Sequence, residues 1–429
     1  MRVLLVSMGS AGDLLPFIAL GQALRGRGHD VTVLSNGYFR DVVEKESLRF
    51  VEVIPAEEHI KRTRQRSGWG FRRSFTEGGR NLLEDMPKVY EAVAAHYVPG
   101  ETVAAAAGLM FGARIAQEKL GLPLASVHLS PLCFRSVHDD VTWPRWMPLP
   151  VRQWLFGMLE RGIDRLFGAE INAFRSRLGL PPATRILSDW WNSPQLVLGL
   201  FPDWLCRPRR DWPASTLLTG PPLYDAMRPF TRHRELEAFL MAGGPPIVFS
   251  HSSALDDARC FFANSVAIAQ NLGCRAVLLT PREESVPQPL PAGVCHFPYV
   301  PHSLLLPRAA ALVHHGGIGT ALQALAAGIP QLIVPVFLDQ PDNGRRLERL
   351  GVAATVRRSA YRSRQVCRKL EYLLGSTEVA SHCREYALRC RESDALEKAC
   401  IALERLFAES GGTTAAPDAV RRVRALARG

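Results

Sequence analysis

An apolar lead-in at residues 309–313 breaks into His314-His315-Gly316-Gly317-Ile318-Gly319-Thr320, and a helix-compatible run from Thr320 to Ala327 follows, closed by Gly328 and Pro330. A strand, a glycine-rich turn and a helix in that order commit the segment to an α/β unit. The turn aims backbone N–H groups and a helix N-terminus at one spot, which suits an anion such as a diphosphate, held by amide donors and the positive end of the helix dipole. His315 adds a side-chain donor there, and Asp339-Gln340 lies downstream.

The same grammar opens the chain. Val3-Leu4-Leu5-Val6 reads as a buried strand running into Gly9-Ser10-Ala11-Gly12-Asp13, Leu14 to Gly26 reads as a helix with Pro16 in its first turn, and residues 28–34 give the next strand. A dinucleotide-dependent oxidoreductase begins this way too. The detail argues against it: Gly9 and Gly12 are spaced G-x-x-G rather than G-x-G-x-x-G, and Ser35-Asn36 stands where an acidic ribose ligand belongs.

At 429 residues the chain is too long for one ordinary core, so two α/β domains are expected. Strand-like runs at 3–6, 31–34, 50–54, 124–127 and 195–200 precede a stretch rich in proline, arginine and tryptophan. Further runs follow at 247–250, 275–279, 294–297 and 309–313, with a helix near 260–272. The expected division is 1–205 for a first Rossmann-like domain, 206–243 for a connection and 244–390 for a second Rossmann-like domain. Residues 391–410 are expected to form a terminal helix returning to the first domain, and 411–429 a mobile basic tail. Ligands then belong at the carboxyl ends of the strands, in the cleft between the domains.

Hydrophobic residues at 47% and charged residues at 22% describe a globular protein, and neither a signal peptide nor a membrane-spanning run is evident, so a cytoplasmic location is expected. The nine cysteines contain no C-x-x-C pair, which predicts reduced thiols and no metal site. A net charge of +11, with clusters at Arg64, Arg66, Arg72, Arg73 and again at Arg421, Arg422, Arg424 and Arg428, keeps nucleic-acid binding open as a second function. No nucleic-acid-reading motif accompanies the charge, so a solvated face, or contact with an anionic membrane surface at its inner leaflet, is the better expectation.

From GSAGD at the start through HHGGIGT and DQPDN, the whole chain resembles the inverting GT-B glycosyltransferases of family 1. Residues 112–119, Pro194-Gln195, Leu200-Phe201-Pro202 and 309–332 look most like the rhamnosyltransferases of bacterial rhamnolipid synthesis. The resemblance implies a dTDP- or UDP-linked sugar donor, no cofactor and no metal. It puts His315, Gly317, Gly319 and Thr320 on the donor diphosphate, together with the serine turn Ser252-Ser253, which lacks the family's usual preceding glycine. Asp339 and Gln340 match the pair that bonds the transferred sugar. Tyr299 would stack on the nucleobase, Val300 would offer its backbone to the base edge, and Gln323 stands where many relatives carry a ribose-binding glutamate, a change that suits a deoxyribose.

Asp13, in the first strand-to-helix turn, is the expected general base, since displacement at an anomeric carbon needs a group to take the acceptor's proton. Its bland alternative is an N-cap for the helix from Leu14. Relatives with a histidine base orient it by a buried aspartate, but the strand at 103–107 here carries no carboxylate. Trp143, Trp146, Phe156 and Trp190 suggest an apolar acceptor pocket, or equally a packing surface. The resemblance favours a small hydrophobic or lipid-like alcohol such as a hydroxyalkanoyl ester, whose free carboxylate would seek Arg72, Arg73 or Arg135. A GT-B epimerase or phosphorylase, and a basic nucleotide- or nucleic-acid-binding protein, are the competing functions.

Overall fold

The computed structural model describes residues 1–66, 71–144, 146–225, 230–251, 258–336, 338–362 and 364–411, and the side chains of 64–66 and 71–76 lie outside that description. Two parallel sheets organise the chain. The first contains β1 (Arg2–Val6), β2 (Asp30–Asn36), β3 (Arg49–Ile54), β4 (Thr102–Ala107), β5 (Leu124–His128), β6 (Leu196–Gly199) and β7 (Thr216–Leu218), in the order β3-β2-β1-β4-β5-β6-β7. The second contains β8 (Ile247–Ser250), β9 (Ala276–Leu279), β10 (Val294–Phe297), β11 (Ala311–His314), β12 (Gln331–Ile333) and β13 (Ala353–Thr355), in the order β10-β9-β8-β11-β12-β13. Central strands covered by helices on both faces need continuous apolar runs, and Val3 to Val6 are at most 2% exposed.

β4 is built from alanines, which are poor strand formers, yet it pairs with both β1 and β5 at the middle of its sheet. Its small side chains leave room for the terminal helix Ala395–Glu409, whose Leu403, Leu406 and Phe407 share one core with Val103, Ala105, Phe17 and Leu20. The last helix therefore packs on the first lobe. The helix before it, Thr377–Arg391, stays on the second lobe against Ile318–Ala327.

Three boundaries differ from the sequence reading. The first helix runs Ala11–Gly26, so Pro16 lies beyond its first turn, and Ser10 rather than Asp13 is the N-cap. Residues 206–243 are not all connection, because β7 extends the first sheet, Trp212 packs in the core beside Phe134, and the helix His233–Met241 belongs to the second lobe. Proline and arginine around β7 mask a three-residue edge strand, where proline is tolerated. The proposed tail falls almost wholly in residues 412–429, outside the described residues.

Glu404 fastens the returning helix. It accepts from Arg27 Nε at 2.8 Å and Nη2 at 2.7 Å and pairs with His29 Nε2 at 2.7 Å, while Arg27 also reaches Glu397 at 2.9 Å. Burial pushes the Glu404 carboxyl up, but His29 and Arg27 together outweigh it and hold the group down at about 2. A depressed carboxylate pKa contributes stability that is complete above the unfolded value of about 4.3 and is lost as pH falls toward 2. Glu404→Gln is expected to cost about 1.5–3 kcal/mol at pH 7 and to flatten the acid limb of the stability curve, read by urea unfolding between pH 7 and pH 3.

Candidate active site

The carboxyl ends of β1 and β11 carry the two glycine turns. In the first lobe Gly9 adopts φ +132°, and a Cβ there would lie 2.5 Å from Asp13 Oδ2, so only glycine lets the turn close over this carboxylate. Asp13 is the third residue of its helix. Its Oδ2 accepts from the Ser10 N–H and the Ser10 hydroxyl, each at 2.8 Å, and its main-chain carbonyl accepts from Ser7 Oγ at 2.8 Å. Ser7 is in turn fixed by Ser35 Oγ, which donates to its carbonyl at 2.6 Å. Asp13 thus completes a capping box and stays half-exposed at the end of the sheet, so its capping role does not remove it from the cleft.

In the second lobe His314 shapes the turn, a role the sequence reading missed. Its buried Nδ1 accepts from the Gly316 N–H at 3.2 Å and its Nε2 faces Gln331 Oε1 at 3.0 Å, an arrangement that fixes Nε2 as the protonated nitrogen; burial holds the ring down at about 3. Gly316 at φ +90° has no room for a Cβ beside Ile333 Cγ2, 2.7 Å away. Gly317 is the N-cap of a helix that begins at Ile318, earlier than expected, so Gly319 and Thr320 sit in its first turn, where backbone N–H groups have no intrahelical acceptor. A Cβ on Gly317 would come within 2.7 Å of His315 Nε2, so the glycine lets the imidazole lie against the helix N-terminus.

His315 Nδ1 is buried and has no hydrogen-bond partner among the described residues. Burial, reinforced by His251 and His302, pushes the ring down to about 4, so it is a neutral donor at pH 7. Such an orphaned polar atom is costly unless a ligand meets it. Gln323 lies half-exposed one turn further along the same helix. Val300 is fully buried, and the Tyr299 hydroxyl donates to the Asp225 carbonyl at 2.5 Å, which ties the ring to the connection between lobes. Ser252 and Ser253 fall outside the described residues.

The helix Gln340–Arg349 brings the lobes together. Asp339 accepts from Asn343 Nδ2 at 2.8 Å. The same amide donates to the Gly316 carbonyl at 3.0 Å, and Ser130, just beyond β5, donates to Asn343 Oδ1 at 3.2 Å. Gln340 Oε1 accepts from the Val336 N–H at 2.8 Å. Burial pushes the Asp339 carboxyl up, Asn343 opposes this, and the Asp13 charge from the other lobe adds to the rise. Cys133 reports the same convergence: burial, Asp339 and Asp13 push its thiol up to about 12. Asp13, Asp339 and the His315 turn therefore meet in one cleft.

One turn on, buried Arg346 donates through Nε to Asp342 at 2.7 Å and bonds Asp139 of the first lobe. Asp139 itself accepts from the Val141 N–H at 3.0 Å, which shapes the 136–143 loop. Arg349 reaches the Asp140 carbonyl at 2.6 Å. Sequence reasoning quoted Asp342 and Asn343 only within the DQPDN motif and did not name Asp139, Arg346 or Arg349; the one signal for the latch is the i, i+4, i+7 spacing of Asp339, Asn343 and Arg346 along a helix face.

The aromatic residues scatter. Trp143 is half-buried with its ring N–H on the Ser136 carbonyl at 2.9 Å, Trp146 is 80% exposed, and Phe156 lies 4.8 Å from the Arg135 guanidinium. Trp190 does not join them. It packs on Phe111 and donates to Glu118 at 3.1 Å, bordering a separate cavity of about 410 Å³ where β6 and β7 begin, at the opposite end of the sheet from the cleft. The Arg72 and Arg73 side chains are among those not described. All nine cysteines are free. Among the described residues no cluster of acidic, histidine or cysteine side chains gathers to hold a metal ion, and no helix is long and apolar enough to cross a membrane.

Two parallel-sheet lobes, with a glycine-cradled helix N-terminus facing an acidic turn, define a GT-B glycosyltransferase, and the comparisons agree. Residues 3–138 match the glycosyltransferase family 28 N-terminal domain, and residues 274–400 the erythromycin biosynthesis protein CIII-like C-terminal domain. O-mycaminosyltylonolide 6-deoxyallosyltransferase of Streptomyces fradiae is 30% identical, across 97% of this chain and 100% of its own, and vancomycin aglycone glucosyltransferase of Amycolatopsis orientalis is 29% identical across 82% and 85%. The solved structures of the kitacinnamycin glycotransferase (TM-score 0.71, 20% identity, 95% and 99% covered) and of VinC in complex with dTDP (0.69, 18%, 95% and 100%) share the fold. The chain belongs to the GT-B glycosyltransferases of the family 1 and family 28 superfamily.

Proposed function

We propose that this protein is an inverting glycosyltransferase that moves a hexose or 6-deoxyhexose from a dTDP- or UDP-sugar to a hydroxyl of a small hydrophobic acceptor, without a metal. The observation that carries the reading is the orphaned His315 Nδ1 at the glycine turn, in the same cleft as Asp13 and Asp339. In this reading the diphosphate takes up the His315 donor, the Gly317 and Gly319 backbone and Thr320, while Asp339 and Gln340 bond the sugar hydroxyls. Asp13 accepts the acceptor's proton as its oxygen bonds the anomeric carbon. The bond from that carbon to the phosphate oxygen breaks on the opposite face, and its electron pair leaves with the diphosphate, whose charge the helix N-terminus holds.

The relative named for 6-deoxyallosyl transfer, the solved spinosyn rhamnosyltransferase SpnG and the dTDP held by VinC support a dTDP-linked 6-deoxyhexose, and Gln323 is compatible with a deoxyribose. Tyr299 and Val300 would take the base. For the acceptor, the relatives named for a tylonolide and for the vancomycin aglycone support a natural-product alcohol. The lipid-like hydroxyalkanoyl ester of the rhamnolipid rhamnosyltransferases falls within the same hydrophobic class. Trp143 and Phe156 are the better-placed lining candidates, and a cytoplasmic enzyme meeting its acceptor near a membrane surface fits the basic charge.

Calorimetric titration with dTDP, UDP and a short DNA duplex, each in EDTA, tests the reading. One-site binding of dTDP or UDP that survives chelation is the expected result. Saturable binding of the duplex with no nucleotide binding would favour the nucleic-acid alternative, and an epimerised nucleotide sugar formed without acceptor would favour the epimerase.

A further inference from the structure

Asn343 is fully buried where the two lobes meet, and Ser130 of the first lobe lies beside it at 4% exposure. Both hydrogens and the oxygen of the Asn343 amide are engaged. Nδ2 donates to Asp339 Oδ2 at 2.8 Å and to the Gly316 carbonyl at 3.0 Å, and Oδ1 accepts from the Ser130 hydroxyl at 3.2 Å. The two acceptors fix which way the amide faces, since turned over it would set oxygen against oxygen at both. The glycine turn lies close to the same helix: a Cβ on Gly316 would come 3.2 Å from the Gln340 carbonyl. One side chain of the second lobe, braced by a hydroxyl of the first, therefore ties the Asp339 carboxylate to the turn beside His315. A hydrogen bond accepted at an amide oxygen strengthens those its N–H groups donate, so the Ser130 contact is felt at Asp339.

We propose that Asn343 is a positioning residue for the transferred sugar, presenting the Asp339 carboxylate beside the glycine turn, and that Ser130 extends this control to the first lobe. The proposal rests on the glycosyltransferase reading for calling Asp339 a sugar ligand. Asp339 faces the like charge of Asp13 from the first helix and the buried Cys133 thiol from the loop after β5. Burial pushes its carboxyl up, Asn343 and Ser130 draw it back, and Asp13 adds a smaller rise. An ionised carboxylate accepts from sugar hydroxyls through both oxygens, and protonation takes part of that capacity away. Without its two partners Asp339 is protonated at a higher pH, and sugar binding is lost sooner as pH falls.

Two measurements on the intact protein test this. The Asp339 carboxyl is titrated by carbon NMR of protein labelled at its aspartate carboxyls, assigned by difference from Asp339→Asn, and dTDP and dTDP-glucose are titrated calorimetrically at pH 7. Asn343→Ala is expected to raise the Asp339 midpoint by about one pH unit or more. It should also weaken dTDP-glucose binding about tenfold, with dTDP itself affected less. Ser130→Ala should move both readings the same way by a smaller amount, and Ser130→Thr, which keeps the hydroxyl, should restore them. Arg349→Ala cuts a neighbouring contact between the lobes at Asp140 and should leave both in place. Ser130→Ala decides the matter if the buried Asn343 variant fails to fold. An Asp339 midpoint unmoved by Ser130→Ala, or moved as far by Arg349→Ala, would overturn the proposal. Equal affinity of wild type for dTDP and dTDP-glucose would instead remove Asp339 as a sugar ligand, and the midpoints would still show whether Asn343 and Ser130 govern its carboxylate.

Discussion

Asp13→Asn is expected to lower turnover by about 10²–10⁴-fold, the usual contribution of a general base, with dTDP affinity nearly unchanged. Asparagine keeps an oxygen to accept from the Ser10 N–H and hydroxyl, and the Ser7 bond goes to the main chain, so the capping box and the turn survive the change. What it removes is the ability to take a proton. It also removes the like charge that helps push Asp339 up, so sugar contacts through Asp339 should be preserved or strengthened. Single-turnover rates with a dTDP-sugar, alongside calorimetric affinity for dTDP, separate the two effects. Turnover equal to wild type would remove Asp13 as the base and leave it a helix cap alone.

His315→Ala is expected to weaken dTDP binding and transfer together. A hydrogen bond to a charged group is worth about 1.5–3 kcal/mol, so a loss of roughly 10- to 150-fold in affinity follows. The pH dependence has a definite sign. In the free protein burial, His251 and His302 hold the ring at about 4; a bound diphosphate favours the imidazolium and raises that value. Binding should therefore draw a proton onto the ring and tighten as pH falls toward 4, and His315→Ala should lose that uptake, measured by calorimetry in buffers of different ionisation enthalpy. Unchanged affinity and unchanged proton uptake would mean that the diphosphate does not sit at this turn.

Much of the frame is legible locally. Val3 to Val6 and Ala311 to Val313 read as buried parallel strands because both faces are covered and no polar alternation is needed. The two glycine turns are legible because a left-handed backbone admits glycine at low cost. β7 and the extent of the second-lobe helices are not, since short edge strands and proline-rich surroundings carry little periodic signal. Aromatic residues mislead for a related reason: Trp146 at 80% exposure and Trp190 in a core beside Glu118 look alike in one dimension.

The sequence by itself determined two α/β lobes, a glycine-cradled helix N-terminus beside His315 and an acidic turn at Asp13, because each depends on neighbours within a few positions. Only the tertiary structure decided that Asp13 and Asp339 share a cleft, that Ser130 and Asp139 grip Asn343 and Arg346 across it, and that His315 Nδ1 is left unmet among the described residues. Those outcomes depend on how two separately folded sheets are packed and on which polar atoms remain unmet once water is excluded, and neither quantity is encoded in the spacing of residues along the chain.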